Sequence, residues 1–243
     1  LFTNDAFIPH LTDLLLYHVL GTKITTNMHP MFDGQFLSPL NGESLAVTRP
    51  NLEINGNVIL TRNIQASNGV ANAINGVLIP SWVSNSITDR VVADSDLSTL
   101  LALVGIAGLG DALAGPGELT LVAPINSAFA KLPASTVKFL TSPAGKATLT
   151  SVLLYHVFPS IITSSELSNG LTTGTLEDGI VTVSVSNAGI FFNDAKVVKA
   201  DILANNGVVH KIDTVLDPFA VVAPTQPTIT GYVVSDPNLS ALT

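Results

Sequence analysis

The pentapeptide LLYHV stands at Leu15–Val19 and again, letter for letter, at Leu153–Val157. The copies lie 138 positions apart and hold two of the chain's five histidines. The same offset sets ASNGVANAINGVLIP (Ala66–Pro80) over ANNGVVHKIDTVLDP (Ala204–Pro218), and LEINGNVIL (Leu52–Leu60) over IFFNDAKVV (Ile190–Val198). Upstream the offset falls to 122, where NDAF at Asn4–Phe7 matches NSAF at Asn126–Phe129. The first copy is therefore 16 residues shorter between these blocks. A third partial match sets VVSDPNLSAL (Val233–Leu242) against VVADSDLSTL (Val91–Leu100).

Self-similarity over this length marks a tandem array of domain-sized units. The reading is a unit at 1–82 that lacks its opening helix and first strand, a complete unit at 83–220, and the start of another at 221–243. SWVSNSITDR (Ser81–Arg90) and VVAPTQPTITGY (Val221–Tyr232) read as the short linkers between units. Leu1 is not an initiator, so a mature or excised fragment is expected.

Composition narrows the function classes. Apolar residues make up 47% and charged residues 12%, enough for sizeable cores and unlike a disordered chain. A formal charge of −8 with only ten Lys plus Arg disfavours nucleic acid and anionic membrane surfaces. No apolar run reaches transmembrane length. Cysteine is absent, which excludes disulfides, thiolate metal sites and cysteine nucleophiles.

Hydrophobic spacing places the motifs. Leu97, Leu100, Leu101 and Val104 follow i, i+3, i+4, i+7, an amphipathic helix with Asp94 or Ser95 as its cap. GELTLVAPINSAF reads as a strand entering a short helix capped by Asn126 or Ser127. Leu149, Val152, Leu153 and His156 share one helical face, as do Leu11, Leu14, Leu15 and His18. Each repeated histidine thus falls on an inward face near a helix end, where an open backbone carbonyl is its expected partner; the tyrosine flanks that face. After the helix the period becomes two. Val181, Val183 and Val185 alternate with Thr182, Ser184 and Ser186, and Leu45 and Val47 repeat the pattern. Turns are expected at Asn193-Asp194 and Asn206-Gly207. Helices precede strands with no βαβ alternation, so the class is α+β with a mostly antiparallel sheet. One offset of 138 from helix to last strand predicts that the copies superpose, Val47 on Val185. The first copy has no counterpart of the Leu97–Val104 helix, so something else is expected to cover its apolar face.

These blocks resemble those of the fasciclin domain. TLVAPINSAFAKLP (Thr120–Pro133) looks like its first signature block and NGVVHKIDTVLDP (Asn206–Pro218) like its second, with the Tyr-His segment between them. The resemblance implies a wedge-shaped β-sandwich with a flanking helical layer, repeated in tandem. It also implies an extracellular, secreted or surface-bound, non-enzymatic role in cell–cell or cell–matrix adhesion. The implied partners are extracellular matrix, a cell-surface protein or a polysaccharide, together with self-association through adjacent units. The alternative is a small-ligand or carbohydrate-binding protein using a cleft between units.

Tyr17, His18, Tyr155 and His156 read as structural. Val208, His210 and Ile212 share an inward strand face, and His156 with His210 raises the question of a metal or acid–base pair. Spacing places no third ligand, and Asn72 stands where the second copy has His210, so no catalytic residue, metal or cofactor is expected. Asp201, Ile202 and Leu203, with His210, resemble a segment proposed for partner contact in the family, although Ile202 aligns with Ile64 as a core position would. Asn238 heads the only N-glycosylation pattern, Asn238-Leu239-Ser240.

Overall fold

The computed structural model describes residues 5–25, 34, 36–48 and 52–219. Asn4, Asn238, the segment Val221–Tyr232 and the third partial copy lie outside the described residues.

The chain opens with a 3-10 turn, Asp5–Phe7, and helix α1, Ile8–Leu16, with a proline in its first turn. Five short strands follow: β1 (Phe36–Leu37), β2 (Leu45–Thr48), β3 (Glu53–Ile54), β4 (Asn57–Ala66) and β5 (Gly69–Ile74). They form one antiparallel sheet in sequence order, with β5 last among the described residues.

The next stretch corrects the linker reading of Ser81–Arg90. Ser81–Ser84 is a 3-10 helix, and α2 runs Ile87–Ala93. Ser86 accepts from the Asp89 amide while Asp89 accepts from the Ser86 amide, the reciprocal capping box that S-x-x-D encodes. Ile87 is wholly buried, so these residues belong to the second core.

Helices α3 (Ser98–Ala107) and α4 (Gly110–Ala114) precede β6 (Leu119–Pro124). Helices α5 (Asn126–Phe129), α6 (Ala134–Leu140) and α7 (Lys146–Tyr155) follow. In α3 the buried set is Leu100, Leu103 and Val104, with Leu97 just before it; Leu101, expected inside, is only partly buried. Asp94 caps the 3-10 turn ahead of α3. Neither Asn126 nor Ser127 caps α5, whose N-cap position is Ile125. The Asn126 side chain instead accepts from the Thr99 amide at 2.9 Å and donates to the Ser95 carbonyl at 2.9 Å, tying α5 to the start of α3.

The remaining strands are β7 (Val157–Phe158), β8 (Thr172–Gly174), β9 (Ile180–Ser186), β10 (Gly189–Phe192), β11 (Ala195–Ala204) and β12 (Gly207–Ile212). They join β6 in a seven-stranded sheet ordered β7-β6-β12-β11-β10-β9-β8. Every neighbouring pair is antiparallel except β6 with β12. Val122 and Ile212 from one half of this sheet pack against Val181, Val183 and Phe192 from the other, so the sheet folds into a sandwich. On its outer side, Leu121 and Val209 pack under α2, α3 and α7. The result is α+β: a mostly antiparallel sandwich with a helical layer.

The copies share strand order but not one continuous offset. Pairing of β4 with β5 repeats in β11 with β12 at 138 throughout, bulges included. Across β2 and β9 the offset is 136: Val47 pairs with Ile54 as Val183 pairs with Phe192. Val47 is therefore equivalent to Val183, and Val185 is 38% exposed. The slip is tolerated because it is even; two residues keep every side chain on its own face, where one would invert them all. The last hairpin turn is Asn205–Asn206, with Gly207 already in the strand opposite Ala204.

The apolar face left by the missing helix has no cover among the described residues. Leu15 is 57% exposed, whereas its counterpart Leu153 is 5% exposed.

Candidate functional site

The repeated Tyr-His pair builds the same joint twice. His156 Nδ1 donates to the Val152 carbonyl one turn back, at 2.7 Å, and Nε2 accepts from the Leu216 amide at 2.9 Å. His18 Nδ1 donates to the Leu14 carbonyl at 2.8 Å, and Nε2 accepts from the Leu78 amide at 2.9 Å. An amide can only donate, so Nε2 must be the acceptor and Nδ1 must carry the proton. The imidazole clamps a helix end to the segment after the last strand. Tyr155 donates to the Ile180 carbonyl at 2.8 Å, and Tyr17 to the Ser44 carbonyl at 3.1 Å.

Their surroundings differ. His156 is 1% exposed, and burial lowers its pKa from an ordinary 6.5 to about 4. His18 is exposed, a correction to the inward face expected of it.

His210 serves the β11 bulge. Its Nε2 donates to the Ile162 carbonyl at 2.8 Å and its Nδ1 accepts from the Asp201 amide at 3.3 Å. Burial lowers its pKa, opposed in part by the Ile162 bond. Asp201 sits at φ 58°, and its carboxylate accepts from the Ser164 amide and hydroxyl. Asn72 performs the same task in the first copy: its Oδ1 accepts from the Asn63 amide at 2.9 Å, with Asn63 at φ 56°. The exchange of His210 for Asn72 thus preserves an acceptor for a bulge amide. His156 and His210 share no partner, and both nitrogens of each are occupied by backbone. Among the described residues no group of three or more His, Asp or Glu is placed to hold a metal. Of the segment Asp201–Leu203, Asp201 is exposed, while Ile202 and Leu203 are half-buried and pack against core side chains.

The sequence reading passed over His10, which is wholly buried where the copies meet. Its Nε2 faces the Ala204 carbonyl at 3.0 Å and the Gly207 carbonyl at 3.3 Å, both in the β11–β12 hairpin, so Nε2 carries the proton. Nδ1 has no hydrogen-bond partner among the described residues. Burial lowers the pKa, with the two carbonyls and Asp13 acting against it. The ring meets Trp82 edge-on at 4.9 Å and Phe7 at 5.1 Å. Trp82 Nε1 donates to Asp13 at 2.9 Å, and Arg90 Nε donates to the Leu203 carbonyl at 2.8 Å. Phe7 packs with Ile161 and Val208. A histidine among apolar letters is the only signal of this joint in the sequence.

A groove of about 560 Å³ opens in the first copy, lined by Leu45, Val47, Ile59, Val70 and Ile74 with His18 among its polar groups. All of its lining lies within residues 18–78 of the first copy.

The sequence profile of the fasciclin domain matches residues 3–80 and 95–218. Protein sll1483 of Synechocystis sp. is 39% identical over 133 residues, 55% of this chain and 73% of that protein. The transforming growth factor-beta-induced protein ig-h3 of Sus scrofa is 31% identical over 208 residues, 85% of this chain but only 30% of that protein. Among solved structures, a FAS1 domain pair from the insect cell adhesion molecule Fasciclin I matches with TM-score 0.54 at 17% identity, covering 88% of this chain and 83% of that one. With two fasciclin-domain matches in order along it, the chain belongs to the fasciclin-domain family.

Proposed function

We propose that the chain is a non-enzymatic adhesion or matrix module of the extracellular space, secreted or held at a cell surface. Its units are 1–82, 83–220 and the opening of another at 221–243. Its partner is a matrix component, a cell-surface protein or a polysaccharide. The observation that carries this reading is the buried joint around His10, which holds two family units side by side. Two contact surfaces fixed next to each other raise avidity without any new contact. The domain pair that the fold matches comes from a molecule described as a cell adhesion molecule. Asp201 offers an exposed carboxylate beside the half-buried Ile202 and Leu203, the segment proposed here for partner contact with His210 as its support.

The test compares retention of the full chain with that of unit 83–220 on matrix-coated and cell-coated surfaces, at low and high salt. The full chain should be held about 10²–10⁴ times more strongly. With 12% charged residues, retention should respond weakly to salt. Equal retention of both chains would point to a single-site binder, and loss of retention in salt to a charged partner.

A further inference from the structure

Three titratable side chains of the first copy grip the joint. His10 Nε2 donates to the Ala204 and Gly207 carbonyls of the β11–β12 hairpin. Asp13 accepts from Trp82 Nε1. Glu43 accepts from the Ser81 amide at 3.0 Å and the Ser81 hydroxyl at 2.9 Å, holding the 3-10 helix Ser81–Ser84 where it packs on β11. None of the three recurs in the second copy. At the offset of 138 Thr148 and Ser151 stand for His10 and Asp13, and at 136 Gly179 stands for Glu43. Residues common to both copies, such as the Tyr-His pair, build the unit; these three serve the contact between units.

His10 fits the joint only as the neutral ring. It lies wholly buried against Phe7 and Trp82, so a second proton would place a full charge among aromatic side chains. The charges around it are already committed. Asp13, on the same helix, also accepts from Asn41, and Glu43 holds Ser81. On α2, Asp89 closes the capping box, and Arg90 is a cation whose guanidinium donates to Leu203 and Ser81. Asp5, in the turn before α1, is exposed. The hairpin turn Ala204–Gly207 and the segment Ser81–Ser84 bring no titratable side chain. Protonation of Asp13 or Glu43 acts in the same direction, because a neutral carboxyl is a weaker acceptor for Trp82 and Ser81. With the first copy released, His10 would meet water and take up its proton near the ordinary 6.5; burial lowers that value in the closed joint. The open form therefore binds more protons, and closure is fully favoured above pH 6.5 and weakens below it. The joint seals fewer apolar side chains than the core of the second copy, so it opens at lower cost than that unit unfolds. We propose that the joint is an acid-opened hinge, in which proton uptake at His10 releases the first copy from the β11–β12 hairpin while the second copy stays folded.

Trp82, the only tryptophan and 1% exposed, reports the opening. The full chain is titrated from about pH 7 to about pH 4.5, with tryptophan emission, acrylamide quenching and small-angle scattering read beside far-UV circular dichroism. Emission should move to the red, quenching should rise and the radius of gyration should grow before the circular dichroism changes. With one proton linked, the open fraction should rise by up to about tenfold per pH unit. His10→Gln keeps a donor for the Ala204 carbonyl but takes no proton, so its Trp82 signal should stay flat over the same range. If that variant fails to fold, proton NMR of the histidine rings in the unaltered chain decides: His10 should take up its proton at the midpoint of the Trp82 change. A Trp82 signal that never moves, or moves only with the circular dichroism, overturns the proposal. So does an unchanged profile in His10→Gln, which assigns the opening to Asp13 and Glu43, or a His10 midpoint apart from that of Trp82.

Discussion

The two LLYHV segments carry the same letters and make the same hydrogen bonds, but do not share an environment. Leu153 is 5% exposed and Leu15 is 57% exposed. His156 is buried at the C-terminal end of α7, while His18 makes equivalent bonds in the open. Local sequence determines the joint: an accepting carbonyl one turn back, a donating amide beyond the last strand, and a tyrosine hydroxyl that donates to a carbonyl of the sheet or the turn before it. Burial is decided elsewhere, by whether a helix and a strand lie over the joint. Energies should differ between the copies even where geometry does not, and each experiment below can break that statement.

The largest contrast is expected at the paired glycines Gly207 and Gly69. At φ 156° and pressed on the Leu119 carbonyl, Gly207 has no room for a side chain. Gly207→Ala should cost about 3 kcal/mol or more, through backbone strain and separation of β6 from β12. Gly69→Ala should shift stability by no more than about 0.5 kcal/mol. Urea unfolding of both variants checks this, and equal losses would mean that the first copy is closed as the second is.

Acid should act through the buried histidines. His156 is held neutral, with its pKa lowered to about 4, whereas the unfolded chain takes up the proton near 6.5. Its contribution is therefore complete above pH 6.5 and is lost as pH falls from there to about 4, up to about 3 kcal/mol. His10 and His210, also lowered by burial, act in the same direction. Unfolding measured at pH 7, 5.5 and 4 should show the decline, and His156→Gln should flatten it. Parallel curves for the two proteins would assign the acid sensitivity to other groups. Trp82, the only tryptophan and in ring contact with His10, reports the joint between copies by its fluorescence.

Removing the imidazoles is the third contrast. His156→Ala opens a cavity and strands the Leu216 amide, for about 1–3 kcal/mol. His18→Ala removes the same two bonds where water can replace them, for about 1 kcal/mol or less. Thermal melts of the full chain decide the order; a larger loss for His18 would reverse the role assigned to burial.

Much of this was legible in the chain. The 138 offset aligned the two LLYHV segments and the last hairpin of each copy, and hydrophobic period with element order indicated the α+β class, because periodicity is a local property. Three things were not. The two-residue slip at β2 and β9 leaves the alternation intact, so letters alone could not show it. The capping box at Ser86 and Asp89 was present but hidden by a stretch that read as polar linker. The exposure of His18 and the burial of His10 depend on which segments pack over them, and no local pattern carries that information. His210 raised the question of chemistry because it lies on an inward strand face, and the sequence could not show what it does there: it holds the Asp201 amide, as Asn72 holds that of Asn63.

The smallest effect should come from Lys211, which stands where the first copy has Ala73. Its ammonium reaches Asp94 at 2.8 Å and Asp96 at 2.7 Å from under the helical layer. Burial would lower its pKa, but the two carboxylates outweigh burial and raise it. The lysine thereby pins the turn before α3 to β12. Asp96 is 67% exposed, so solvent screens part of the attraction. Lys211→Met, which keeps most of the stem's packing, should cost about 1 kcal/mol. The loss should shrink when Asp94 and Asp96 are both replaced by Asn, in a double-mutant cycle read by urea unfolding. A cost independent of the two aspartates would mean that Lys211 acts through its stem alone. The difference from Ala73 would then be one of packing volume and not of charge.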